Sequence, residues 1–141
     1  MILESDYIEL KDMAAKFSDS EIAPLAASID ENSKIPQEVI SKLIENGFLG
    51  IFIPEEYGGA GMDYLSYSII IEELSRGCAS TGVFVSAHSS LCTWPILNFG
   101  TEEQKKKYLP QLASGELVGC FCLSEPNAGS DAGSLTTMAV D

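Results

Sequence analysis

Positive charge is what this sequence has least of. Lys and Arg together number 8 against 21 Asp and Glu, which gives 141 residues a formal net charge of −13. Nucleic-acid binding rests on Lys and Arg neutralising phosphates, so this balance excludes that class. Long apolar runs are also missing. None approaches the roughly 20 residues that span a bilayer, and Glu72 and Glu73 interrupt the greasy central stretch from Ser68 to Leu74, so no membrane contact is expected. With one histidine and no C-x-x-C pair, a zinc site would lack ligands. Cys78, Cys92, Cys120 and Cys122 are not spaced as a disulfide framework and read as buried thiols in a reducing compartment. The first residues, Met1 to Asp6, turn acidic at once and carry no basic leader, so a soluble, cytoplasmic protein is expected. There is no internal repeat and no low-complexity segment.

What is present is globular. Hydrophobic residues make up 45% and charged residues 21%, at a length that suits one domain with a real core. Residues 3 to 29 set Ile8, Met13, Phe17, Ile22, Leu25 and Ile29 largely along one helical face, with Glu4 to Asp6 acidic at its start. Pro24 should kink or interrupt that helix near Ala23. A short helix with Val39, Ile40, Leu43 and Ile44 follows Pro36 and closes at Asn46-Gly47. Phe48 to Ile53 is apolar and is expected to be extended and buried. Tyr57 to Gly61 holds three glycines without the spacing or the Lys of a phosphate loop, and reads as a tight connection.

Asp63 should cap a helix that ends at Arg76-Gly77. The next helix starts at Ser80 or Thr81 and runs to about Phe99, with Pro95 disturbing the hydrogen bonds near Leu91. After Gly100, Thr101 and Gln104 have the spacing of a capping box for a helix from Glu102 to Leu112. Past Gly115 the pattern changes. Leu117 to Leu123 and Leu135 to Val140 read as strands, so the expectation is a mainly α protein. A bundle-like, up-and-down helical domain over residues 1–115 is followed by the first strands of a β domain over residues 116–141.

Between those strands the chain becomes small and polar, with Pro126, Asn127, Gly129 and Ser130. A strand that breaks into such a turn leaves main-chain groups and short hydroxyls at a sheet edge, where a polar ligand can be gripped. From composition alone, an ordinary loop is the favoured reading, because turn chemistry is common and cofactor loops are not.

Four motifs in order alter that balance. Leu123-Ser124-Glu125-Pro126-Asn127-Ala128-Gly129-Ser130-Asp131 resembles the signature of the acyl-CoA dehydrogenase flavoprotein family. Pro54 to Asp63 looks like its glycine-rich connection, and Gly100 to Lys105 like its next helix start. Glu72 to Gly82 resembles the short-chain, butyryl-CoA branch. Family members run to several hundred residues and are built as an α domain, a β domain and a second α domain. The resemblance therefore implies the N-terminal portion of an FAD-dependent enzyme of fatty acid metabolism, inactive as these 141 residues alone.

Carried over by position, the cofactor contacts would be Phe121, Cys122, Leu123, Ser124, Glu125, Pro126, Asn127, Ala128, Gly129 and Ser130. Phe121 would lie near the flavin ring, while Leu123 and Ser124 would bond its edge. Ser130 would also meet the acyl-CoA substrate, and Ala87 and Leu91 would form the floor of its acyl pocket. Asn127 replaces a glycine frequent in the family, and a left-handed Asn could stand in for it. The family implies an electron-transferring flavoprotein as partner and a homo-oligomer, usually a tetramer. Anionic CoA would have to meet local positive charge or another part of the protein.

No catalytic residue is assigned within this chain. Glu125 reads as a structural carboxylate holding the turn through backbone N–H groups, because the family's base comes from its C-terminal helices. His88 reads as a helix-surface or pocket-lining side chain. Its serine neighbours at adjacent helical positions point away from it, and no G-x-S-x-G is present. The alternative function is a non-catalytic helical interaction module derived from the same family.

Overall fold

The computed structural model describes residues 5–140. The expected positions of Leu3 and Glu4 in the first turn lie outside the described residues. Seven α-helices are described: α1 (Ser5–Phe17), α2 (Ala26–Asn32), α3 (Gln37–Glu45), α4 (Tyr64–Gly77), α5 (Ala79–Ser86), α6 (Trp94–Phe99) and α7 (Glu102–Ala113). The interruption expected around Pro24 is there, as a π-helical turn at Ser18–Ile22 and a 3-10 turn at Ala23–Leu25. Pro95 acts similarly: the hydrogen bonds before it widen into a second π-helical turn, Ala87–Thr93.

Both expected caps are formed. The Asp63 carboxylate accepts the Ser66 N–H at 2.8 Å. Thr101 Oγ1 accepts the Gln104 N–H at 3.3 Å, while Gln104 Oε1 accepts the Thr101 N–H at 2.8 Å. The helix after Gly77 begins at Ala79, one residue before Ser80.

α1 lies on α4 and α4 on α5. Their facing sides bury Ala14, Phe17, Ile70, Leu74 and Val85 together with Ile22 of the π-helical turn, and the Phe17 and Phe48 rings meet edge to face at 5.1 Å. The α1–α4 contact is also polar. Glu73, almost fully buried, accepts from Arg76 Nε at 2.7 Å and pairs with Lys11 Nζ at 3.5 Å. A second cluster joins Ile53, Tyr57, Leu109 and Leu112 beneath α7.

Two sequence expectations fail here for one reason. Phe48 to Ile53 is buried as expected but is not extended. It is a chain of turns, with Gly50 N–H donating to Gly47 O at 3.1 Å and Ile53 N–H to Gly50 O at 3.2 Å. Leu117–Leu123 and Leu135–Val140 form no strand: the described residues contain only an isolated bridge between Glu125 and Ala128. An apolar run announces burial or β propensity, whereas a strand exists only when a second chain segment accepts its ladder. The glycine-rich connection behaves as expected. An added Cβ at Gly59 would lie 2.1 Å from Ile53 O, so the chain doubles back there too closely for any side chain. No helix among the described residues is long and apolar enough to cross a membrane.

Candidate functional site: the turn at Glu125–Ala128

The chain leaves α7 through a left-handed Gly115 and runs back along the helices. Two hydrogen bonds guide it: Leu117 N–H donates to Gln111 O at 3.0 Å, and Gly119 N–H to His88 Nδ1 at 3.0 Å. It then closes a tight turn, with Glu125 N–H to Ala128 O at 2.8 Å and Ala128 N–H to Glu125 O at 3.1 Å. Ala128 is buried, while Pro126, Asn127, Gly129 and Ser130 stand in solvent.

The carboxylate of Glu125 is held by four hydrogen bonds. It accepts from Thr136 N–H and Oγ1, each at 2.9 Å, from Thr137 N–H at 3.0 Å, and from Thr137 Oγ1. These donors, the Thr137 hydroxyl first, hold its pKa down at about 2. Glu125 is thus structural, as expected. What it holds, however, is the returning segment eleven and twelve residues on, while backbone bonds close its own turn. A carboxyl group this acidic is also a poor general base near neutral pH.

Residues 4–116 match the family model for the acyl-CoA dehydrogenase N-terminal domain. The chain belongs to the acyl-CoA dehydrogenase family. It is 50% identical over 131 residues, 93% of its length, to a short-chain specific acyl-CoA dehydrogenase of Clostridium acetobutylicum, and covers 35% of that protein. Among solved structures, one from work on the electron transferring flavoprotein of Acidaminococcus fermentans superposes with a TM-score of 0.89 at 48% identity. The match covers 95% of this chain and 35% of that one. An acyl-CoA dehydrogenase of Bacillus anthracis complexed with FAD gives a TM-score of 0.87 at 36% identity, covering 94% of this chain and 23% of the other. The chain spans about a third of the length of the curated relatives it matches.

Within this acyl-CoA dehydrogenase domain the expected site residues fall into two groups. Phe121, Cys122, Leu123 and Ser124 form an exposed run, with Phe121 half exposed. Its main chain makes no backbone hydrogen bond among the described residues. Ser124 and Ser130 make no side-chain hydrogen bond there either, so neither hydroxyl caps its own turn. Asn127 is not left-handed; the described non-glycine residue with positive φ is Ser33, at 50°. The turn is closed by the Glu125–Ala128 backbone pair, which needs no such conformation at position 127.

Ala87 and Leu91 lie apart from the loop on the π-helical turn, Ala87 half-buried and Leu91 exposed. No described hydrogen bond or ion pair joins Ser130 to that turn. The link between the two groups is His88, and here the structure corrects the expectation. His88 is neither on a helix surface nor pocket-lining; it is wholly buried, because its turn faces both the α7 end and the outgoing chain. The cysteines also differ from expectation. All four are free, but only Cys78 is buried; Cys92 is half-buried and Cys120 and Cys122 are exposed, since the run carrying them has no sheet to enter.

Thr136 and Thr137 carry no signal in the sequence. Adjacent residues of a strand point to opposite faces, and on that basis the two could not reach one carboxylate. They do so because the segment is not in a sheet.

Proposed function

We propose that this chain is the N-terminal portion of an FAD-dependent acyl-CoA dehydrogenase. The whole protein would carry out α,β-dehydrogenation of short-chain acyl-CoA thioesters. The observation that carries this reading is the turn itself. Glu125 commits its bonding capacity to Thr136 and Thr137, which stiffens the turn and leaves the Phe121–Ser124 main chain and the Ser124 and Ser130 hydroxyls uncommitted. Those groups fit a flavin, whose apolar ring suits Phe121 and Leu123 and whose polar edge suits main-chain and hydroxyl donors. At Gly129 an added Cβ would meet nothing within 4 Å, which leaves an approach to Ser130 open. When bound, FAD supplies the two-electron oxidising capacity that the reaction requires. The chain's own residues bind and orient: Phe121, Leu123 and Ser124 toward the cofactor, Ser130 toward cofactor or acyl-CoA, and Ala87 and Leu91 toward the acyl chain.

In this reading residues 1–115 are the helical domain and residues 116–141 open the β domain. Electrons pass on to an electron-transferring flavoprotein, and the protein is a cytoplasmic homo-oligomer of fatty acid metabolism. The structural match from the Acidaminococcus fermentans work supports the partner, and four free thiols suit a reducing compartment.

The test is made on the whole protein. Purified protein should show flavin absorbance and oxidise butyryl-CoA; colourless protein without that activity refutes the proposal. Ser130→Ala should lose one hydrogen bond, about 0.5–1.5 kcal/mol, seen as a several-fold to about tenfold loss in KM or flavin retention. Unchanged kinetics and flavin content would remove Ser130 from the site. Ala87→Leu should discriminate against longer acyl-CoAs by about 1–3 kcal/mol per refused methylene. A uniform loss across chain lengths would count against the pocket floor.

A further inference from the structure

Burying an imidazole is unfavourable unless its two nitrogens, stripped of water, find partners in the protein. His88 is fully buried, and one of its nitrogens has a clear partner, since Nδ1 accepts the Gly119 N–H at 3.0 Å. That bond requires Nδ1 to be unprotonated, so the ring proton sits on Nε2. Nε2 faces the carbonyls of Leu49 and Leu112 without a well-formed hydrogen bond to either, and burial lowers the pKa of the ring, which keeps it neutral. The imidazole thus stands between the turn after α3, the end of α7 and the outgoing chain.

Gly119 is pressed onto the same π-helical turn, where an added Cβ would lie 2.6 Å from Cys92 Sγ. Beyond the contacts of Gly119, no backbone hydrogen bond among the described residues holds Phe121 to Ser124 until the turn closes at Glu125. The direction of the exposed run is therefore set at Gly119 and at Cys120, whose backbone N–H faces the Cys92 thiol.

We propose that His88 is a positioning residue: through Nδ1 of its neutral Nε2–H form it holds Gly119 and fixes where the segment Phe121–Ser130 leaves the helical body. The inference rests on the flavin-binding reading of that segment, and it gives the buried histidine a role in the site without any contact to cofactor.

Three variants of the whole protein test it. His88→Asn places an acceptor oxygen at the same distance from Cβ as Nδ1, His88→Gln places it one bond farther out, and His88→Leu removes it. The readouts are amide hydrogen exchange at Gly119, with the Leu74 amide as the folding control, and retention of bound flavin. In His88→Leu, Gly119 should exchange roughly tenfold faster and flavin should be lost roughly tenfold faster, the scale of one hydrogen bond. His88→Asn should restore both and His88→Gln neither.

Unchanged Gly119 exchange in His88→Leu would overturn the inference. So would equal rescue by His88→Asn and His88→Gln, or flavin retention indifferent to all three substitutions. If His88→Leu does not fold, the 15N shifts of the wild-type imidazole decide: an unprotonated Nδ1 is expected, and a protonated Nδ1 overturns the assignment. Wild-type protein devoid of flavin would instead refute the proposed function. The two failures are distinguishable because Gly119 exchange and the imidazole shifts are read on the protein alone.

Discussion

The helical body and the segment after Gly115 come from one chain yet are held by different forces. Among the described residues, every buried apolar side chain except Ala128 lies from Ala14 to Ala113. Past that point Leu117, Val118, Phe121, Leu123, Leu135 and Met138 are all exposed, although this stretch is no less apolar than the helices. Helices satisfy their own backbones and need only an apolar stripe to pack. A segment outside helix and sheet has no such independence, and here it is fixed at a few polar points: Leu117 on Gln111, Gly119 on His88 and Thr136–Thr137 on Glu125. Hydrophobic burial thus builds the scaffold, and hydrogen bonds place the candidate site upon it.

The sharpest way to test that division is one large truncation on each side. Leu74 is fully buried in the α1–α4–α5 core, so Leu74→Ala should cost about 2–5 kcal/mol through lost burial and a residual cavity. Met138, mostly exposed, should change stability by no more than about 0.5 kcal/mol when cut to Ala. Denaturant unfolding followed by helical circular dichroism measures both. Equal effects would mean that the outgoing segment shares the core after all.

A smaller effect is expected where the body itself relies on a polar group. Thr101→Ala removes the Oγ1 acceptor of the α7 capping box and should cost about 1 kcal/mol. Glycine at the same position should cost only a few tenths. If alanine and glycine were equally harmless, α7 would be held by packing on Leu109 and Leu112 alone.

The same division explains which features could be read from the residues. The helices, their caps and both proline interruptions were legible, because capping boxes, helical periodicity and proline geometry act within a few residues of one another. Glu125 was legible as a structural carboxylate through its family motif. The clamp partners Thr136 and Thr137 were not, nor was the burial of His88. Both depend on where a distant segment arrives, and no local pattern encodes that Gly119 meets a residue 31 positions earlier. That Leu117–Leu123 and Leu135–Val140 form no strand among the described residues has the complementary reason: such runs signal a capacity to pair, and pairing requires another segment.

The finest test concerns the clamp, whose contribution should be local and pH-dependent. Glu125 ordinarily would titrate at 4.5 and is held at about 2 in the folded chain by the two threonines. A carboxylate with a lowered folded-state pKa stabilises the fold fully above its ordinary value, and the contribution is lost as pH falls through the folded one. The Thr136 and Thr137 amide signals should therefore stay in place down to pH 4.5, begin to shift below it, and reach their midpoint near pH 2. A midpoint at the ordinary value would mean that the clamp does not form in solution. Glu125→Gln keeps the size but gives up the charge and one acceptor oxygen, so both amides should exchange faster while the melting temperature of the helical body stays unchanged. A melting temperature that fell with the clamp would show the two regions to be energetically one, and the division drawn between burial and hydrogen bonding would have to be abandoned.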